Sequence, residues 1–122
     1  MTDWLQEFPE LPAESIGDLR PTKVLLAFDG PRMFVSFDVQ GKLILVNQLD
    51  EELESSLFLV VPFSDSLLSD LEQNQSTLHI AFDQSGTKVV EIGRGWSVLK
   101  AWDVPFAKIP SDMLPEEGVT LT

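Results

Sequence analysis

His79 is the natural starting point in a search for catalytic residues, since it is the one histidine in a chain that has no cysteine. A hydrolytic triad needs a nucleophile, a base and an orienting acid, and the base is usually histidine. The sequence has no GxSxG motif that would place a serine on a nucleophile elbow. A single histidine without such a motif is more typical of a structural or surface residue, so we expect no triad.

The acidic residues and glycines do not have the spacing of a metal or phosphate site. The run Asp50-Glu51-Glu52-Leu53-Glu54 has neither the alternation nor the glycine of an EF-hand loop, and consecutive acids cannot all converge on one ion. Paired carboxylates for glycoside hydrolysis can be chosen from any set of twenty acids, so they carry no information. Gly93-Arg94-Gly95 lacks the spacing of a phosphate-binding loop and predicts a turn. We expect no metal, no cofactor and no catalytic residue, and hence a protein that is not an enzyme.

The charge of the chain excludes some classes of partner. Twenty acidic residues against eight basic ones give a net charge of −12 and a pI near 4.2, which opposes binding to nucleic-acid phosphates and to anionic lipid. No lysine or arginine occurs from Leu43 to Thr87. We therefore predict no direct binding to nucleic acid or membrane, and a strongly negative region of the surface.

This negative region has two interpretations. A solvated face that confers solubility is the simpler one, because acidic surface is common. The other is a surface that attracts a protein partner with a basic surface. The acidic residues proposed for such a surface are Asp50, Glu51, Glu52, Glu54, Asp65, Asp70 and Glu72.

Aromatic residues offer a second kind of partner contact. Trp4, Phe8 and Leu11 have the spacing of anchors on a helix that binds in a groove, but the proline after Phe8 breaks such a helix. Packing of Trp4 and Phe8 against the protein's own core is the alternative. Trp96 and Trp102 are six residues apart, which would place them on the same side of a strand, either in the core or at an aromatic binding surface.

The length and composition predict one folded domain. A chain of 122 residues suits a single core, and 43% hydrophobic with 23% charged residues is typical of a globular protein. The longest apolar run, Leu57 to Phe63, is far shorter than the roughly 20 residues that cross a bilayer. The acidic N-terminus differs from a secretory signal, and a lack of cysteine fits a reducing compartment, so we expect a cytoplasmic protein.

The first half of the chain has the pattern of a four-stranded meander. Its first segment, Lys23 to Phe28, is a short apolar run that predicts a buried strand. From Met33 to Val39 the odd-numbered side chains point to one side of a strand and the even-numbered ones to the other. This pattern predicts that one of the two sides faces the core. Gln40-Gly41 predicts a two-residue connection with glycine at positive φ. The four predicted strands are Lys23–Phe28, Met33–Val39, Lys42–Asn47 and Leu57–Phe63.

The second half of the chain begins with a helix. Ser64 or Asp65 can cap a helix over Ser66 to Gln73, whose leucines form one apolar face. The segment Thr77 to Phe82 fits either a strand or a short helix. Two further strands are predicted at Thr87–Ile92 and Trp96–Trp102.

Together these elements predict a small α+β domain. Its mainly antiparallel sheet would have about five to six strands in a meander, with one main helix packed on one face. The chain 1–122 would be a single domain with a proline-rich N-terminal arm over 1–22, an α+β core over 23–104 and an extended C-terminal tail over 105–122.

The order of several short motifs resembles a family of small uncharacterised bacterial domains. The resemblance spans about residues 24–92. The shared residues are Asp29-Gly30-Pro31, Phe34, Gly41, an acidic turn at Asp50 to Glu54, Leu57 to Pro62, Ser64, Leu67, Leu68 and Leu71. It implies a second short helix at Thr77 to Phe82, which we adopt, and it brings no assigned catalytic residue. It also implies an accessory component of bacterial gene clusters, some of which serve in phage defence.

We therefore predict a non-enzymatic protein–protein interaction module, an accessory or regulatory subunit of a bacterial, defence-related complex. The alternative is an acidic DNA mimic that inhibits a nucleic-acid-binding enzyme of the restriction or CRISPR type. The two differ in physical behaviour. A mimic would bind a basic nuclease with strong salt dependence and be displaced by DNA, whereas an adaptor with apolar anchors would lose little affinity with added salt.

Overall fold

A single antiparallel sheet organises the structure. A computed structural model describes residues 3–16, 19–27, 31–51, 55–75, 77–82 and 86–114. Its strands are β1 (Glu10–Leu11), β2 (Lys23–Ala27), β3 (Pro31–Phe37), β4 (Leu43–Glu51), β5 (Ser56–Pro62), β6 (Lys88–Ile92) and β7 (Val98–Asp103). Their order is β1-β7-β6-β5-β4-β3-β2. The strands from β2 to β7 therefore form a meander, and β1 adds to its far side next to β7.

The α+β fold with an antiparallel meander and one main helix is confirmed, but the described strands number seven instead of five to six. The additional strand is β1, in which Glu10 lies opposite Trp102 and Leu11 opposite Ala101. Two residues between two prolines carry no strand signal in the sequence. They pair here because prolines are tolerated at a sheet edge, where one side of the strand makes no ladder hydrogen bonds.

Two helices cover one face of the sheet, α1 (Asp65–Glu72) and α2 (Leu78–Phe82). Ser64 caps α1, since its hydroxyl oxygen accepts a hydrogen bond from the backbone N–H of Leu67 at 3.2 Å. The helical interpretation of Thr77 to Phe82 is confirmed by α2. Both helices contribute to the first core cluster, a set of buried side chains that includes Leu71 and Phe82.

Both faces of the sheet are buried, which corrects the prediction of one core face for Met33 to Val39. In β3, Met33 and Val35 belong to the first core cluster, whereas Phe34 belongs to the second core cluster on the opposite face. Phe37 is 47% exposed and Val39 58% exposed. An uninterrupted apolar run is typical of a strand covered on both sides, and the covering elements here do not extend to the end of β3.

The prediction that the first strand is buried is wrong. Strand β2 forms one edge of the sheet, and its side chains Val24 and Leu26 are 45% and 38% exposed. A short apolar run has the same composition at an edge as in the centre of a sheet. The order of the strands decides its burial, and that order is set by pairing over long sequence distances.

Trp96 and Trp102 lie on opposite faces, contrary to the prediction. Trp102 belongs to the first core cluster and Trp96 packs against the second, because β7 begins only at Val98 and Trp96 lies in the preceding turn. Its φ of 68° is rare for a bulky residue. The indole packs edge-on against Phe34 and Phe58, with ring centroids 5.3 and 6.1 Å away, which offsets the backbone strain.

We predict that replacing Trp96 with glycine destabilises the protein no more than replacing it with alanine. Both variants lose the ring, but glycine adopts positive φ without steric cost and so recovers about 1 kcal/mol that alanine does not. The free energy of unfolding in urea measures the difference. Val46, which pairs in regular register with Phe34 and Val60, is the matched control, where glycine should be worse than alanine by about 0.5–1 kcal/mol. The same ranking at both positions would contradict backbone strain at Trp96.

The connection between β3 and β4 has three residues instead of the predicted two. Asp38 donates its backbone N–H to the carbonyl of Lys42 at 2.9 Å, and Gly41 donates to the carbonyl of Asp38 at 3.0 Å. Gly41 has φ of 79°, as expected for a three-residue hairpin with glycine at its last position. The positive φ predicted for Gly41 is therefore confirmed.

Replacing Gly41 with alanine should lower the free energy of unfolding by about 1 kcal/mol, the cost of a left-handed conformation for a residue with a Cβ. A Cβ at this position meets no atom within 4 Å, so backbone strain alone determines the cost. Asparagine tolerates this conformation better, so Gly41→Asn should lose clearly less in the same urea titration. An equal loss in the two variants would contradict this explanation.

Candidate functional site

A cleft opens beside the β3–β4 hairpin on the face of the second core cluster. Its volume is about 320 Å³, near the lower end of the range for small-molecule sites. We call it the hairpin cleft. It is lined by Leu11, Ser15, Ile16, Asp38, Val39, Gln40, Ile44, Val60 and Lys88.

The floor of the hairpin cleft is apolar because it is part of the second core cluster. Ile44 in β4 and Val60 in β5 belong to that cluster, as does Ile16, which precedes β2 in the chain. Leu11 of β1 packs against the same cluster. The cleft therefore lies where four separate segments meet.

The carboxylate of Asp38 holds the rim of the cleft in place. Its Oδ1 accepts hydrogen bonds from the backbone N–H groups of Gln40 and Lys42, both at 2.9 Å. A carboxylate engaged in this way favours one conformation of the loop. Asp38 thus fixes the position of Val39, whose exposed side chain forms part of the rim.

Lys88 is the cation of the hairpin cleft. It is half-buried and lies opposite Val60 on one side and opposite Asp103 on the other. Its Nζ donates a hydrogen bond to the carbonyl of Gly86 at 3.2 Å. Apolar walls with one ammonium group at the edge are suited to binding an amphipathic ligand.

Lys88 was not among the candidate residues predicted from the sequence, although the pattern of β6 contains a signal for it. In β6 the residues Lys88, Val90 and Ile92 alternate onto one face, and Val90 and Ile92 belong to the second core cluster. A lysine in such a series places a charge beside an apolar surface. Asp38 and the apolar floor gave no comparable signal, because they reach the cleft by pairing between distant segments.

The acidic residues named from the sequence fall at two separate places. Asp50 and Glu51 lie at the end of β4, while Asp65, Asp70 and Glu72 lie on α1. Glu52 and Glu54 lie outside the described residues.

The distance between the two acidic groups follows from the strand register. Glu51 is opposite Ser56 at the start of β5, whereas Lys23, the ion-pair partner of Glu72, is level with Val61 near the end of β5. Five residues of strand separate these levels by about 17 Å. The two groups therefore belong to different ends of the sheet.

Two of these acids are paired with cations from elsewhere in the chain. Glu72 lies 3.1 Å from Lys23 Nζ, and Glu51 lies 3.1 Å from an Arg32 guanidinium nitrogen. The segment without lysine or arginine is thus partly neutralised by residues of β2 and β3. Exposed pairs of this kind contribute at most about 1 kcal/mol each to stability, but they lower the local negative charge.

The structure places Trp4 and Phe8 against the first core cluster, both half-buried. Their ring centroids are 6.4 Å apart in an edge-to-face arrangement. The indole Nε1 of Trp4 is buried and has no hydrogen-bond partner among the described residues. This arrangement corresponds to the alternative in which the arm packs on its own core.

The remaining sequence-derived candidates add no site. His79 lies in α2, and its side chain is outside the described part of the structure. In the described residues, no three His, Cys, Asp or Glu side chains are grouped so that they could hold a metal ion. None of the described helices has the length and apolar character needed to cross a membrane.

The open edge of the sheet at β2 is the second candidate site. Two of the large exposed hydrophobic side chains lie on β2, Val24 and Leu26. We call these two residues and the outer side of β2 the edge patch. The other edge, β1, has two residues and is flanked by Pro9 and Pro12.

Comparison with known proteins supplies no relative. No protein family, curated protein or solved structure matches this chain. The family resemblance of the sequence therefore stays a prediction, and any functional proposal depends on the geometry of the edge patch and of the hairpin cleft.

Proposed function

We propose that this protein is a non-enzymatic binding module that takes up an extended segment of a partner protein along β2. The observation that carries the proposal is an apolar strand at the end of the sheet, with Val24 and Leu26 both more than one third exposed. An edge strand presents unpaired backbone N–H and C=O groups on its outer side. An added strand satisfies those groups, and exposed side chains along the edge supply apolar contact.

The difference between the two edges supports the choice of β2. Strand β1 is short and lies between prolines, which cannot donate to a ladder. Strand β2 has five residues and contains no proline. Proteins usually protect such an edge with charge, but the one charged residue of β2, Lys23, is paired with Glu72.

The irregular register of β2 limits how much strand can be added. The pairing of β2 with β3 shifts between Val24 and Leu26 and again before Ala27, which increases the local twist. An added segment would therefore pair over a few residues only. We expect modest affinity, of the kind found in transient or regulatory complexes.

The net charge of −12 favours a partner with a basic surface, because long-range attraction raises the rate of association. The same charge supports the alternative of DNA mimicry. A mimic needs a continuous track of negative charge, and the separation and pairing of the described acids support strand addition over mimicry.

Selection from a library of displayed short peptides tests the proposal. We expect the selected peptides to alternate β-branched and aromatic residues, to carry positive charge and to lose binding when their backbone nitrogens are methylated. Val24→Lys should weaken binding at least about tenfold, since it places a charge in the apolar contact. Amide hydrogen exchange should slow along β2 in the complex.

The matched control is Leu99→Lys, because Leu99 is 52% exposed on β7, which four strands separate from β2. This variant should bind the selected peptides as the unchanged protein does. Peptides that bind Val24→Lys with full affinity, or that protect amides elsewhere, would refute the role of β2. Displacement of the peptides by duplex DNA at the same site would favour the mimic instead.

A further inference from the structure

We infer that the hairpin cleft binds a small amphipathic carboxylate, whose apolar part lies on the floor and whose carboxylate contacts the ammonium group of Lys88. The inference is independent of strand addition at β2. It rests on the shape of the cleft, the burial of its floor and the surroundings of one cation.

The cleft matches a ligand of limited size. A volume of about 320 Å³ is near the lower limit for small-molecule sites, which favours a ligand of modest size. The side chains of Leu11, Ile16, Ile44 and Val60 supply the apolar surface. Water on such a surface is readily displaced by a hydrocarbon group, which favours a ligand with an apolar tail.

The ammonium group of Lys88 has capacity for an anion. It carries three N–H donors, and the structure shows one acceptor for it, the carbonyl of Gly86. The described ion pairs involve other cations, Lys23 and Arg32, and within the described residues no carboxylate lies within 4.0 Å of Lys88 Nζ. A half-buried ammonium without a counter-charge is stabilised by a bound anion.

Two carboxylates of the protein face this region without neutralising Lys88. Asp38 lines the cleft, but its Oδ1 is engaged by two backbone N–H groups of the hairpin. Asp103 lies opposite Lys88 in the β6–β7 ladder and is exposed. Both repel an anion, so a ligand with one negative charge is favoured over phosphate or a dicarboxylate.

Isothermal titration calorimetry with octanoate tests the inference, because octanoate combines an eight-carbon apolar tail with a single carboxylate. We expect a dissociation constant below about 1 mM. Octan-1-ol, which lacks the charge, and octylamine, which reverses it, should bind at least about tenfold more weakly. The affinity for octanoate, but not that for octanol, should fall as salt is added.

Lys88→Met keeps the aliphatic stem and removes the charge, so it should weaken octanoate binding at least about tenfold and leave octanol binding unchanged. Lys88→Arg should retain the octanoate affinity. Lys108→Met is the matched control, since Lys108 is exposed and does not line the cleft. Amide resonances of Val39 and Ile44 should shift on titration of the unchanged protein.

Equal binding of octanoate and octanol by the unchanged protein, or full octanoate affinity in Lys88→Met, would overturn the inference. No detectable binding of octanoate at millimolar concentration would do the same. Tighter binding of the peptide acetyl-Ala-Ala-Leu than of octanoate would assign the cleft to a peptide C-terminus and also overturn it. None of these measurements involves β2, so they stand apart from the peptide selection.

Discussion

The central strand β5 places Leu57, Leu59 and Val61 on one face of the sheet and Phe58 and Val60 on the other, and all five are buried. A chain of this size must therefore cover both faces of one sheet. The helices, the residues after β7 and the N-terminal residues Trp4, Leu5 and Phe8 cover the first face. The second face is covered by much less chain, namely the segment that joins β1 to β2 and the turn at Trp96. The stability of the sheet depends on how firmly that second cover is held.

The hydrogen bond from the Leu19 N–H to the Trp96 carbonyl, at 3.2 Å, joins the two parts of this cover. The aromatic contacts of Trp96 hold the turn despite its positive φ. The cover does not extend to the β3–β4 hairpin, and the hairpin cleft lies where it ends. The same segment leads from β1 at one edge of the sheet to β2 at the other edge. In the described structure, β2 therefore has no neighbouring strand on its outer side. Both candidate sites thus follow from the path of the N-terminal chain.

The features predicted correctly from the sequence are those that depend on neighbouring residues. The cap of α1, predicted at Ser64 or Asp65 and observed at Ser64, the glycine of the β3–β4 hairpin and the presence of the six longer strands are of this kind. The features that the sequence did not predict depend on long-range pairing. The two-residue strand β1 lies between prolines and forms because it pairs with β7. Strand β2 is exposed because no described strand lies beyond it in the sheet. The hairpin cleft escaped prediction for the same reason, since Leu11, Asp38 and Lys88 meet only in the folded protein.

The proposed role of the hairpin cleft depends on the position of Lys88. An ammonium group beside apolar side chains loses part of its hydration, which costs free energy unless an anion compensates for it. The face that Lys88 shares with Val90 and Ile92 would accommodate an apolar residue without that cost. This chain has twenty acidic residues, and one of them, Asp103, lies directly opposite Lys88. In the part of the chain that the structure describes, no carboxylate nevertheless lies within 4.0 Å of Lys88 Nζ, so the ammonium group has N–H donors for an external carboxylate.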